Sequence, residues 1–418
     1  MIDTSTAHRA LPGAALPHLA TGPGFDLLAG VRVLDLTGSV AGPYATMLLG
    51  DFGADVLKVE RPGRGDDTRG WGPPFLEGES LWFLAVNRNK RSLTLEWGKA
   101  GGAELLRDLI AKADVMVVSQ PPAVLAKLGI AVEQARAIRP DLIYCAITGF
   151  GLTGERADQT CYDLIAEGYS GVMDLTGELS DGPQKIGAPA ADMLAGQDAA
   201  MAVMAALVAR GRTGQGRVID VALVDSMTRF LACRIVPYLG SGEVPRRSGG
   251  KDSVIAIYQA FDTADEPMTL ALGNDAIWHR FWQAVGQPGY AADPGMACNA
   301  DRRAQRGRIV ADIQALLATQ KRAHWLAVCA RARVPAGPIN RVDELAQDTA
   351  LHARGLLYQL EANGRAIPQV GTGIQLDGAA NVPCRAPPRL GEDSDDALAD
   401  WLGLRPADLA GLRERGIV

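Results

Sequence analysis

"GVRVLDLTGSVAGPYATMLLGDFGADVLKVE" spans residues 30–60 and decides the fold class. Residues 30–38 are a short apolar run closed by glycine, which predicts a buried strand. "PYATMLLGDFG" (43–53) has helical spacing, and "ADVLKVE" (54–60) is a second strand. Strand, helix and strand within about thirty residues make a βαβ unit. The rhythm continues in "KRSLTLEW" (90–97), the helix "GKAGGAELLRDLIAKA" (98–113), and the strands "DVMVVS" (114–119) and "DLIYCAIT" (141–148). Such alternation predicts an α/β protein with a mostly parallel sheet covered by helices.

Working outward, an apolar helix follows Asp192 and breaks in the glycines of "RGRTGQGR" (210–217). Residues 218–239 read as a strand and then a helix. "GSGEVPRRSGGKDS" (240–253), dense in Gly, Pro and charge, marks a domain boundary. Beyond it the pattern changes: 253–273 reads as two strands joined by a turn, and 275–286 and 302–334 read as helices. This predicts a smaller α+β domain. "VPAGPINRVDELAQD" (334–348) reads as a connector with a helix. In the Asp393–Asp396 run, Ser394 is expected to cap a helix whose N-terminus favours the carboxylates.

The 418 residues exceed one ordinary core and predict two domains. A hydrophobic share of 47% with 22% charged residues is that of a soluble globular chain. The net charge of −6 argues against bulk nucleic-acid binding. Residues 1–25 read as a loose extension without the pattern of a signal peptide. No apolar stretch is read as reaching the roughly 18 residues needed to span a bilayer, so no membrane partner is expected. The six cysteines form no CxxC pair and read as buried, reduced thiols of a cytoplasmic protein. The five histidines show no metal-ligand spacing, and no metal is expected.

Asp192 stands among alanines at the start of its helix, where two readings coexist. Aspartate is a good N-cap. It is also a carboxylate nucleophile that a helix N-terminus would keep ionised at neutral pH, with small neighbours leaving room for a bulky partner. The turn "TGSVAGP" (37–43) is a candidate phosphate loop or simply a tight βα turn. Glu60 ends the second strand, where nicotinamide enzymes place a ribose-binding acid, but G-x-G-x-x-G is missing. Arg61, Arg64, Arg69, Arg88, Lys90 and Arg91 read either as solvated surface or as a pocket for an anionic cofactor. No G-x-S-x-G or P-loop is present.

"GVRVLDLTGSVAGPYATMLLGDFGADVLKVERPGRGDDTRGWG", "NRNKRSLTLEW", "YDLIAEGYSGVMDLTGE", "ADMLAGQDAAMAVMAALVARGRTGQGRVIDVALVDSM", "VPAGPINRVDEL" and "APPRLGED" together resemble the class III CoA-transferase family. That family includes formyl-CoA and carnitine CoA-transferases and α-methylacyl-CoA racemases. The resemblance runs in order from about residue 28 to the end. It implies a Rossmann-like CoA-binding domain from residues 26–222 and 355–418, linkers at 223–247 and 326–354, and a small domain at 248–325. It implies an interlocked homodimer, or pairing with a homologous subunit. It also implies acyl-CoA and carboxylic acids as substrates, with CoA passing through an aspartyl anhydride and an aspartyl-CoA thioester. Asp192 matches the family nucleophile, and Asp163 an acidic active-site position that in racemases belongs to the proton-transfer pair. Gly249 and Gly250 match a glycine loop whose amides stabilise oxyanion charge. Ser39, Val40, Ala41, Arg61, Arg91, Leu95, Ser119 and Lys127 match CoA-binding positions. The chain departs from the family at "SQPPAV" (119–124), where relatives read like "ENFRPG", and at Asp393, where many have His. Tyr162 replaces the His that precedes Asp163 in racemases, and no His lies near Arg136, where their second base aligns. A racemase and a non-catalytic CoA-transferase-like subunit are the alternatives to a transferase.

Overall fold

The structure is a computed structural model and describes residues 16–362 and 364–418. Six strands form one parallel sheet: β1 (Arg32–Leu36), β2 (Asp55–Glu60), β3 (Lys90–Thr94), β4 (Val115–Val118), β5 (Ile143–Thr148) and β6 (Val218–Ala222). Their spatial order is β3-β2-β1-β4-β5-β6, and every adjacent pair is parallel. β4 and β5 are near-continuous buried apolar runs, as a sheet covered on both faces requires. The strand order reverses between β1 and β4, and the crevice outside their carboxyl ends is where such sheets bind ligands.

The helices that frame this crevice are α1 (Ala41–Asp51), α2 (Asp163–Ser170), α3 (Ala190–Thr213) and α4 (Leu223–Phe230). α3 is 24 residues long and apolar enough to cross a membrane by length and composition, a point the sequence reading overlooked. Its small residues instead bury a face within the fold: Ala191, Ala195, Ala199 and Ala200 are all closed off from solvent. At Gly196 a Cβ would stand 2.6 Å from the Ala41 carbonyl oxygen, so only glycine lets α3 lie this close to α1. α3 ends at Gly214, whose φ of 67° caps it in the left-handed region.

The chain divides into two compact units, the first comprising described residues up to Val172, Ile186–Leu239 and Ala346–Val418. The second comprises Met173–Lys185 and Gly240–Leu345. The expected boundaries differ from this division. Residues 223–239 and 346–354, read as linker, belong to the first unit, while 240–247 and 326–345 belong to the second. Segment 173–185, read as part of the large domain, also belongs to the second.

The second unit holds an antiparallel sheet of Tyr258–Phe261, Met268–Ala271 and Ala336–Pro338. Its third strand was read as connector, because Gly337 and Pro338 mask the pattern. Trp278, Phe281, Trp282, Ile309, Ile313, Leu317 and Trp325 form its core. In the first unit a hairpin of Leu357–Ala362 and Arg365–Val370 was not foreseen. His18–Ala20 pairs with it, so part of the expected loose extension is a strand; residues 1–15 lie outside the described residues. Ser394 is the first residue of the helix Ser394–Leu402 rather than its cap. Its hydroxyl and the Asp393 carboxylate instead accept the backbone N–H groups of Thr94 and Ser92, stitching that helix to β3.

Candidate functional site

Most of the expected basic cluster is tied up in ion pairs, while Arg61 and Arg64 stay exposed. Arg88 pairs with Asp51, Lys90 with Asp35, and Arg91 with Asp55 and Asp400. Arg69 forms a two-pronged pair with Glu60 at 2.7 Å on each side. Lys58, fully buried on β2, reaches Asp66 at 2.8 Å and the Thr37 carbonyl at 2.9 Å. These side chains are committed to carboxylate partners rather than standing free at the surface. Glu60 is buried, and its carboxylate oxygens are already taken by Arg69 and the Ser92 hydroxyl.

The ion pairs shape the turn after β1. Asp35 accepts the Thr37 N–H at 2.9 Å and hydroxyl at 2.6 Å. Asp66 accepts the Ser39 N–H at 3.2 Å, and the Ser119 hydroxyl accepts the Gly38 N–H at 3.2 Å. Ser39 holds φ of 66°, which this web of bonds sustains. With three of its amides already bonded to side chains, the turn is not an open phosphate cradle. It is a rigid wall.

That wall borders a cleft of about 340 Å³ outside the ends of β1, β4 and β5. Ser39, Ala41 and Ser119 line it, together with Cys161, Tyr162 and Asp192. A second cleft of about 210 Å³ shares Gly38, Asp67 and Gln120 with the first and is lined by Arg61, Arg64 and Trp97. Arg61 sits 6.0 Å over the Trp97 ring, and among the described residues it has no carboxylate partner. The two clefts thus make one crevice, polar and cationic at one end, with a buried carboxylate at the other.

Asp192 is 7% exposed, and among the described residues its carboxylate has no hydrogen-bond or ion-pair partner. It does not cap α3. Asp163 does: one of its oxygens accepts the N–H groups of Ala191 at 2.8 Å and Asp192 at 3.3 Å. The sequence reading expected the helix terminus to keep Asp192 ionised. Instead burial, and then the Asp163 charge, push its carboxyl up to about 7. Asp163 takes the N–H groups at the start of α3, and no cation lines the cleft to offset the burial.

The remaining sequence candidates lie elsewhere. The Val40 side chain is buried beside the turn. Leu95 is in the core, and Arg91 is committed to its two aspartates. Lys127 is exposed on the helix Pro122–Leu128 and lines neither cleft. Gly249 and Gly250 belong to the second unit, where their N–H groups donate to the Gly177 carbonyl at 3.0 Å and to Glu178 at 3.3 Å. A Cβ on Gly249 would overlap the Glu178 carboxylate, which accounts for glycine there without an oxyanion. In this arrangement neither amide is free to serve as an oxyanion donor. Of the cysteines only Cys145 and Cys329 are buried, Cys233, Cys298 and Cys384 are exposed, and all six are free thiols. No histidine lines the Asp192 cleft. The residues missed by sequence reasoning are Trp97, Asp66 and Lys58. Trp97 was visible only as an aromatic after a strand, and the other two act through burial, which no local pattern reveals.

A family model described as CoA-transferase family III matches residues 28–394. The chain is 40% identical to a succinate–glutarate CoA-transferase of Agrobacterium fabrum, over 89% of this chain and 95% of that one. It is 35% identical to an acetyl-CoA:oxalate CoA-transferase of Acetobacter aceti, over 87% and 91% of the two chains. Among solved structures it resembles a CAIB/BAIF family protein from Brucella suis, with a TM-score of 0.79 and 39% identity over 90% of this chain and 99% of that one.

Proposed function

Since the chain belongs to CoA-transferase family III and is a CoA-transferase, we propose that it moves CoA between two carboxylic acids through covalent intermediates on Asp192. The observation that carries this reading is the partnerless, buried Asp192 carboxylate lining the crevice at the sheet's switch point. An Asp192 oxygen attacks the thioester carbon of the donor. The C–S bond breaks with its electron pair on sulfur, giving CoA thiolate and a mixed anhydride. The thiolate attacks the Asp192 carbonyl carbon, the donor acid leaves, and an aspartyl-CoA thioester remains. The acceptor carboxylate then attacks that thioester carbon and expels thiolate, forming a new anhydride. Thiolate attack on the acceptor acyl carbon releases acyl-CoA and restores the Asp192 carboxylate. Covalent catalysis splits one difficult exchange into easier ones, and no other energy source enters.

In this reading the first unit is a Rossmann-like CoA-binding domain, supported by the β3-β2-β1-β4-β5-β6 order. Arg61 and Trp97 hold the nucleotide end of CoA, and the pantetheine runs past Ser39, Ala41 and Ser119 to Asp192. The names of the relatives point to dicarboxylic acids, with succinyl-CoA as the donor to try first. Exposed Phe230, Val236 and Leu239 support a dimer, and six free thiols support a cytoplasmic setting.

The test is intact-protein mass after mixing with succinyl-CoA. A hydroxylamine-sensitive adduct is expected on the wild type and absent from Asp192→Ala, which should still bind CoA. Wild-type turnover by Asp192→Ala would exclude the nucleophile. Exchange of α-hydrogen with deuterated water, without any acceptor acid, would indicate a racemase. Neither adduct nor exchange would indicate a non-catalytic subunit.

A further inference from the structure

Asp163 and Asp192 are brought together by two backbone contacts that serve opposite ends. A carboxylate capping a helix usually gains from free N–H groups and the positive helix terminus. Asp163 takes that gain from outside the helix, through the amides of Ala191 and of Asp192 itself. Asp192, in the first turn of the helix, is left with neither side-chain donors nor a cation among the described residues, and with a neighbouring negative charge. The geometry therefore withholds from Asp192 the hydrogen bonds and the cation that would make it a weaker base.

We infer that Asp163 is a positioning residue that fixes the start of α3 through its amides and sets a second acid beside the Asp192 carboxylate at the cleft. The inference rests on Asp192 being the nucleophile. Its chemical logic concerns leaving groups. When a carboxylate adds to a thioester, the tetrahedral adduct expels whichever group is the weaker base. An ordinary carboxylate is far less basic than a thiolate, so the adduct collapses back to reactants. Raising the basicity of Asp192 narrows that gap, and the C–S bond breaks more often. The same change makes the carboxylate more nucleophilic at the outset. Burial contributes most to this basicity, and Asp163 adds to it.

The other groups around Asp192 leave this role to Asp163. Cys161 lines the same cleft, but burial, and then the Asp192 charge, push its thiol up to about 11, so it stays neutral. Tyr162 is largely exposed, and Asp67 is paired with Arg64 at 2.9 Å. On α1, Tyr44 faces Gly196, with its hydroxyl shifted up by burial and therefore neutral. On α4, Ser226 and Arg229 bond Asp198, nearly two turns farther along α3. β5 brings only Ile147 and Thr148 to the cleft wall.

Asp163→Asn separates the two roles, because the Asn oxygen still accepts the α3 amides while the charge is gone. The readout is the pH dependence of adduct formation from succinyl-CoA in single turnover. The wild-type rate should rise with pH through about 7, as Asp192 ionises. In Asp163→Asn the midpoint should move to lower pH by about one unit. The plateau should fall about threefold, as a Brønsted slope near 0.5 implies. Asp163→Glu should restore part of both. An unchanged midpoint in a folded Asp163→Asn protein would reduce Asp163 to a cap and overturn the inference. Should that variant not fold, the wild-type minus Asp192→Asn infrared difference spectrum gives the Asp192 titration directly. An ordinary carboxylate midpoint there would overturn it equally. An adduct that persists in Asp192→Asn would instead defeat the nucleophile reading, which is a separate failure.

Discussion

Two buried aspartates stand at the first unit's sheet, and their surroundings differ. Asp35, fully buried on β1, lies 3.1 Å from the Lys90 ammonium and accepts three bonds from Thr37 and Thr46. Burial alone would raise its carboxyl, but Lys90 and Lys58 outweigh burial and hold it far below the ordinary range. Asp192 is almost as buried, has no cation, and faces Asp163, so it moves the other way. A buried carboxylate with its cations is a strut. A buried carboxylate beside another acid, with an open cleft in front of it, is poised to react.

The comparison breaks most visibly at the strut. Lys58→Met leaves Asp35 and Asp66 with one cation fewer in a dry interior. Removing one partner of a buried pair costs about 3–5 kcal/mol. The urea midpoint should fall accordingly, and Lys58→Met combined with Asp66→Asn should recover part of the loss. An unchanged midpoint would mean that the pairs do not stiffen the turn after β1.

At Asp192 the same logic predicts stabilisation on removing the acid. Its folded carboxyl sits near 7 and its unfolded one near 3.8, so the folded state holds the proton more tightly between those values. Folding stability contributed by this group therefore falls as pH rises from about 4 to 7, and stays low above. Asp192→Asn removes that loss. Its melting temperature relative to wild type should climb between pH 4 and 7 and then level off. The gain is at most a few kcal/mol. A difference that is flat with pH would show Asp192 ionising as an ordinary carboxylate.

This contrast also marks what could be read in the sequence. The βαβ rhythm of residues 30–60 sufficed for a mostly parallel α/β sheet, because apolar periodicity and glycine stops are local. Asp192 could be picked out as an acid among alanines at a helix start. Its charge state could not, because that depends on Asp163, 29 residues earlier, reaching the same amides. The basic run from Arg61 to Arg91 misled for the same reason. A strand shows that Lys90 and Arg91 point to opposite faces, but not that Asp35, Asp55 and Asp400 wait there. Segment 173–185 gave no sign that it packs with the second unit, since its neighbours in sequence are helices of the first.

The smallest effect comes from setting an arginine of the crevice beside a paired one. The family resemblance implies a CoA-binding role for both Arg61 and Arg91, yet Arg91 is held by Asp55 and by Asp400 at 3.0 Å, whereas Arg61 lines the crevice over Trp97 with no carboxylate partner among the described residues. A guanidinium already paired has little left for a phosphate, while a free one at a crevice mouth has its full fork to offer. Arg61→Ala should therefore raise the KM for acyl-CoA about fivefold, roughly the 1 kcal/mol of a partly exposed charged contact. Its kcat should hold, and the penalty should shrink in high salt. Arg91→Met should do the reverse, lowering the melting temperature and leaving KM alone. If Arg91→Met raised KM while Arg61→Ala did not, the crevice past Trp97 would not be where the nucleotide lies, and the path from that end to Asp192 would have to be redrawn.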